Sequence, residues 1–547
     1  LPMPKRMRWS DREESFLRPV LWLVALHGTN VVPATVLGLK SGRTTRGHRF
    51  HAPEEIALKE ATDYAKTLRL QGHVEPDYGV RMEEIRSQVL AAAKAAGGRA
   101  VVDEDLVDEC AALVEWPVAI SGHFDEVFLE VPKEALIQTM KDDQRYFPLL
   151  DDNENLLPTF ITISNIVSTD EAKVREGNER VIRPRLADAM FFWQQDLKQS
   201  LASHLPSLKT VVFQEKLGTM HDKTERLVRL TRHIAQEIDA DAVLVERAAR
   251  LSKCDLMTNM VYEFPEMQGI AGKHYIYKEG ESAAVSNALE EQYQPKQSGD
   301  PTPEGIIGQI LAIAEKLDTL AGIFGIEHKP TGAKDPFALR RASLGILRII
   351  IERKLDLDLH DLLKTAQQTL EDKLEKPEKV FDALDYAMGR LHSYYADQGI
   401  DRRVVDAVMA KKPTRPLDFD RRVHAVKDFL QLSEAEALAA ANKRIQNILK
   451  KADKVGESVD ESLLEAGAER ALYDALLSTE NNVKPLYAKG EYAEGLKALA
   501  ALRAPVDAYF DGVMVNAEDE KLKLNRLALL QRLGALCIEA ADLSQLS

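Results

Sequence analysis

The chain has 547 residues, a net charge of −15 and three widely spaced cysteines, enough length for about three or four domains with ample core. The acidic balance argues against a surface that binds nucleic acid everywhere, although a binding face needs only local positive potential. Cys110, Cys254 and Cys537 show no CxxC spacing, which excludes a disulfide framework and a cysteine zinc site; apolar stretches too short to span a bilayer complete the expectation of a cytoplasmic protein without a membrane partner.

Residues 16–51 read as strands, with turn signals at Gly28-Thr29-Asn30 and Ser41-Gly42. Residues 54–98 switch to helical period and stop at Gly97-Gly98, and residues 112–165 return to strands. That order suggests one α+β domain built around a helical excursion. The charged stretch from Asp170 to Arg185 reads as a connector. Beyond about residue 186 the sequence is helical, dominated by Ala, Leu, Glu, Lys and Arg. Pro413 and Pro416 mark a break near 411–422, and a last set of helices follows, with loops at Gly456, Lys484-Pro485 and Gly512.

Residues 316–350, KLDTLAGIFGIEHKPTGAKDPFALRRASLGILRII, carry the densest local information. Lys329-Pro330-Thr331-Gly332 has turn chemistry. Asp335 is placed as an N-cap with Pro336 at the first helical position. Arg340 and Arg341 then precede a helix half that is apolar nearly all round, which implies burial on several sides.

The chain lacks a GxxxxGK[ST] phosphate loop, a GxGxxG turn, HExxH and GxSxG. It also lacks the class I synthetase signatures and a convincing class II adenylation motif, so it is not expected to activate an amino acid itself. A different constellation joins His221, the Cys254-Asp255 pair, Glu315 and Asp318. Its layout resembles an HD-type metal phosphohydrolase, in which imidazole and hard carboxylates hold divalent ions. The pattern is broken twice, because Cys254 stands where the paired histidine belongs and Glu315 where an aspartate belongs. Cysteine is a poor member of a hard-metal cluster, and the expectation is a degenerate HD-like scaffold without metal.

In EALAAANKRIQNILKKADK, Leu438, Ala441, Ile445, Ile448 and Leu449 form an apolar stripe. Lys443, Arg444, Asn447, Lys450, Lys451 and Lys454 fall on the other side at helical spacing. That face offers cations and an amide to phosphates or bases, and Asn442 joins the candidate set. A plain solvated helix face is the competing interpretation. Lys521, Lys523, Arg526 and Arg532 mark a second basic segment. Arg43, Arg46 and Arg49 mark a third, in SGRTTRGHRF, where Gly42 and Gly47 allow close approach; pairing at a subunit interface or within the chain explains those arginines equally well.

Five blocks now carry a resemblance: LPMPKRMRW through RGHRF; TMKDDQRYFPL with GNERVIRPRLADAMFF; LSKCDLMTNMVYEFPEMQG; the 316–350 run; and ANKRIQNIL. Together they resemble the β subunit of the bacterial two-subunit glycyl-tRNA synthetase. The resemblance implies an α+β, predominantly helical multidomain fold. It assigns 1–168 to a B3/B4-like module with a helical insertion at 54–98, 169–205 to a linker, 206–422 to an HD-like helical domain and 423–547 to a helical-bundle anticodon-binding domain. It further implies a separate α subunit that holds ATP, Mg²⁺ and the adenylation site, glycine tRNA as the ligand of this chain, and an α₂β₂ heterotetramer. No catalytic residue and no bound cofactor are expected here, and the family carries a further N-terminal segment. An HD-type phosphohydrolase is the alternative.

Overall fold

The computed structural model describes residues 3, 5–9, 13–297, 299–328 and 334–546, without the side chain of residue 371. The turn expected at Lys329–Gly332 lies outside the described residues. The chain divides into two compact units. One comprises Leu1–Gln199 with Tyr262–Met267, the other Ser200–Val261 with Gln268–Ser547.

The first unit is built on a four-stranded antiparallel sheet. Its strands are β1 (Arg99–Ala100), β2 (Val118–His123), β3 (Phe147–Leu150) and β4 (Leu156–Ser164), in the order β1-β3-β4-β2. The longest pairing runs from Val118 opposite Ser164 to His123 opposite Thr159. Gly122 sits opposite Phe160, where a Cβ would come within 2.5 Å of the ring, so this strand position tolerates no side chain. Helix α1 (Tyr78–Ala95) packs Ile85, Val89 and Ala93 into the core with Phe147 and Ile161, an i, i+4, i+8 stripe. Asp77 caps its start by accepting the Val80 N–H at 3.0 Å. Gly97, at φ 74°, ends it with paired bonds from Gly97 to Lys94 and from Gly98 to Ala93, the geometry of a Schellman stop. Residues 16–51 form only short ladders, of which Leu39–Gly42 is among the longest.

The expected linker at 169–205 is a correction. Most of it is helix α2, Glu171–Asp196, capped by the Asp170 carboxylate on the Lys173 N–H. Its first half is charged and held by pairs such as Arg175 with Glu171 at 2.8 Å. The buried stripe, Ile182, Leu186, Ala189, Met190 and Trp193, begins only near the middle of the helix, so little helical period shows where the connector was expected.

The second unit is helical. Helix α3 (Met220–Glu237) opens on a reciprocal capping box between Thr219 and Asp222. Helix α4 (Ile306–Gly325) is buried along nearly its whole length, and α5 (Leu339–Glu352) packs on it. Asp335 is not the N-cap of α5, which is Ala338, but from three residues upstream its carboxylate accepts the N–H groups of Leu339 and Arg340 at 2.9 and 3.0 Å. Pro336 lies in a turn before the helix, and Ala338 takes a left-handed conformation at its N-cap.

Two further expectations change. The domain boundary at 422 falls inside helix Pro416–Phe429, because Pro416 starts that helix rather than breaking one. The loop expected at Lys484-Pro485 lies within α7 (Ala468–Ala488), which follows α6 (Ala435–Lys451). Helices α8 (Arg503–Gly512) and α9 (Glu520–Cys537) complete the bundle. Among the described residues no helix is long and apolar enough to cross a membrane.

Candidate nucleic-acid interface

Helix α6 buries Ala435, Leu438, Ala439, Asn442 and Ile445 and exposes Lys443, Arg444, Asn447, Lys450 and Lys451, with Lys454 exposed just beyond its end. Lys450 and Lys451 occupy the last turn, where cations complement the helix dipole. A groove of about 450 Å³ runs along this face, lined by Ala440, Lys443, Arg444, Asn447, Ile448 and Lys451. Among the described residues no carboxylate lines it, and Arg444, Lys450 and Lys451 have no acid within ion-pair distance. The Arg444 guanidinium lies 4.1 Å from the centroid of the half-buried Phe510 ring, an attractive cation–π contact. Phe510 belongs to another helix, α8. Its place beside the basic face depends on α8 folding back against α6, which no local pattern reveals.

Two candidates on these helices are withdrawn from the surface. Asn442 is fully buried, and neither atom of its amide finds a hydrogen-bond partner among the described residues. It sits one residue before Lys443, on the apolar side of the helix, so it cannot touch RNA without rearrangement. Arg526 is also buried. Its guanidinium donates to Glu469 at 3.1 Å, to Glu465 at 2.7 Å and to the Met514 carbonyl at 2.9 Å. Arg532 is likewise held by Glu480. Lys523 remains half-exposed, 3.9 Å from Glu520. The second basic segment is therefore chiefly an internal brace of the bundle.

The arginines of the first unit divide as well. Arg43 donates to the carbonyls of Thr29 at 2.9 Å and Leu58 at 3.3 Å, joining two loops. Arg46 pairs with Glu55 at 3.2 Å and lies over Trp22. Arg49 is exposed beside Phe50. Between them, His48 is buried; its Nδ1 accepts the N–H groups of Phe50 and His51, so Nε2 donates to the Asn165 carbonyl at 2.6 Å.

The HD-like residues are brought together only in part, and by cations rather than around a metal-sized space. Asp318 accepts Arg226 through both oxygens, at 2.5 and 3.1 Å, and lies 3.2 Å from Lys223 Nζ. Glu315 lies 3.3 Å from Lys223 and 3.6 Å from Lys253. Burial alone would raise the Glu315 carboxyl, but Lys223, Lys253 and Lys316 override it and hold it down to about 2. Burial pushes Asp255 up to about 6 even though its Oδ2 accepts the Gly269 N–H at 2.6 Å. Burial also pushes the Cys254 thiol up to about 12, so it is no thiolate ligand at neutral pH. His221 is in the first turn of α3, and no hydrogen bond or ion pair joins it to these acids among the described residues. Ammonium and guanidinium groups occupy the positions where a divalent ion would need free carboxylate oxygens.

Residues 438–543 match the model of the DALR anticodon binding domain, which places α6, Phe510 and their groove in an anticodon-binding class of fold. Residues 1–410 match the model of the glycyl-tRNA synthetase beta subunit. The chain belongs to that family. It is 53% identical to the glycine–tRNA ligase beta subunit of Chromohalobacter salexigens over 547 residues, all of this chain and 79% of that protein. It is 50% identical to the proteins of the same name from Marinobacter nauticus and Tolumonas auensis, again over the whole of this chain and 79% of each relative.

Proposed function

We propose that this chain is the tRNA-gripping subunit of a glycine–tRNA ligase, and that it holds glycine tRNA while a separate α subunit activates glycine and joins it to the tRNA 3′ end. The basic groove on α6, which no carboxylate lines among the described residues, is the observation that carries this reading. Lys443, Lys450 and Lys451 would meet backbone phosphates, which makes binding salt-dependent. Unstacked anticodon bases would be read by stacking on the Arg444–Phe510 pair and by the Asn447 amide. ATP and Mg²⁺ belong to the α subunit in this reading, and the chain itself holds no cofactor. The assembly is α₂β₂ and cytoplasmic, a setting that suits three buried free thiols. Residues 1–168 serve as the B3/B4-like module, and the helices from 206 up to Pro416 as an HD-like scaffold.

Replacing Arg444 and Lys451 with Ala should weaken tRNA binding and flatten the slope of log affinity against log salt by about 1 to 2. Glycylation with added α subunit should fall through KM for tRNA. Unchanged tRNA affinity in that variant discards the α6 face.

A further inference from the structure

A second concentration of positive charge lies in the same unit, far along the chain from α6. Helix α5 carries Arg340, Arg341, Leu344, Gly345 and Arg348 at i, i+1, i+4, i+5 and i+8, which puts them along one helix side. They line a pocket of about 200 Å³ together with Lys296 and Arg390. Five cations thus face one small space, and among the described residues no carboxylate lines it.

The local structure holds these cations in place without neutralising most of them. Arg348 pairs with Glu352 at 2.7 Å. Arg341 donates to the Lys296 carbonyl at 3.2 Å, and Arg390 to the Tyr386 carbonyl at 3.4 Å while lying 4.9 Å from that ring's centroid. Among the described residues, Lys296, Arg341 and Arg390 have no acid within ion-pair distance. Gly345 belongs to the pocket wall, and a Cβ there would come within 2.9 Å of the buried Lys316 chain. The wall is therefore closely packed behind the cations.

Like charges gathered this closely destabilise a fold unless an anion joins them. Guanidinium groups fixed by carbonyls still present further N–H donors in a planar fork, which suits phosphate oxygens. The space is smaller than the ~300–1,000 Å³ of ordinary small-molecule pockets, so it fits a single phosphate group better than a whole nucleotide.

We propose that Lys296, Arg341 and Arg390 form a phosphate-binding pocket that grips a tRNA backbone phosphate outside the anticodon. The inference rests on the tRNA-binding reading above and adds a second, separate anchor to it. Contacts of this kind fix the register of the RNA and leave base choice to the α6 groove.

The test measures binding of whole glycine tRNA, and of its isolated anticodon stem-loop, to the full chain over a salt series. The variants are Lys296→Gln with Arg341→Gln, and separately Arg444→Ala with Lys451→Ala. Circular dichroism and thermal melting establish that each is folded. The pocket variant should bind whole tRNA about tenfold more weakly near ~0.1 M salt, with a slope flatter by about 1 to 2, and should bind the stem-loop unchanged. Arg341→Lys, which keeps the charge, should retain the slope. Whole-tRNA affinity unchanged in the pocket variant overturns the pocket, while the reading of α6 survives if its own variant still weakens the stem-loop. Equal loss for whole tRNA and stem-loop also overturns it, because the pocket would then not be a separate anchor. Inorganic phosphate is the third arm. A thermal shift that is lost in the pocket variant while tRNA binding stays intact assigns the pocket to a free anion and likewise overturns the proposal.

Discussion

Arg226 meets Asp318 side by side, Nε to Oδ1 at 2.5 Å and Nη2 to Oδ2 at 3.1 Å, with both residues buried between α3 and α4. Lys223 joins the same carboxylate. A buried acid with two basic partners ties two helices together and leaves no oxygen free for a metal. Asp318→Ala should destabilise the chain by about 3–5 kcal/mol, because two buried cations lose their counter-charge. Urea unfolding followed by circular dichroism measures this. The paired change Asp318→Leu with Arg226→Met should cost less than Asp318→Ala alone. Equal stability of Asp318→Ala and the parent chain would show that the pair holds nothing.

Arg526 supplies a parallel case at the other end of the unit. Its partner Glu469 is buried, so Arg526→Ala strands a carboxylate in the bundle. The expected loss is again about 3–5 kcal/mol. The salt slope of tRNA binding, measured below the unfolding temperature, should stay unchanged. A flatter slope without loss of stability would return Arg526 to the RNA surface.

The contrast between these residues and α6 shows what the sequence could convey. The basic face of α6 was legible because one helix supplies both its apolar stripe and its cations, so period alone sorts them. Arg526 looked equivalent by composition, yet its direction is set by Glu469 and Glu465 on another part of the bundle. Phe510 was illegible as a neighbour of Arg444 for the same reason. Helix α2 was missed because its first turns are stabilised by charge pairs rather than by a buried stripe. The breaks in the HD-like pattern at Cys254 and Glu315 could be read directly. The lysines that fill the space could not, since Lys223 and Lys253 come from segments that meet only in the fold.

The first unit should lose stability in mild acid through His51. Its Nε2 accepts the Val167 N–H at 3.0 Å, and its ring lies 4.7 Å from His48 and 5.3 Å from His73. Burial, then repulsion from His48 and His73, lowers its pKa from the ordinary 6.5. A histidine lowered in this way disfavours its charged form in the folded state. The stability it contributes is present above 6.5 and is lost as pH falls through the lowered folded value. Thermal melting from pH 7.5 to 5 should show a fall that is smaller in His51→Gln, whose amide oxygen can still accept from Val167. Identical pH profiles for the two proteins would remove His51 as the cause.

Asn442 gives the sharpest separation between burial and binding. Its side chain is fully buried on α6, and among the described residues neither its amide nitrogen nor its oxygen has a partner. An unpaired buried polar group costs about 1–3 kcal/mol of desolvation. Leucine has nearly the same shape without the polar atoms. Asn442→Leu should therefore raise stability by about 1 kcal/mol, read as a higher denaturant midpoint with an unchanged m value. Because Lys443 and Arg444 stay on the exposed side, tRNA affinity should remain within about twofold, well under the 1.4 kcal/mol that a tenfold change represents. A large loss of tRNA affinity in a stabilised Asn442→Leu protein would mean that α6 turns, or opens, when RNA binds. The buried amide would then be held in reserve for that bound state.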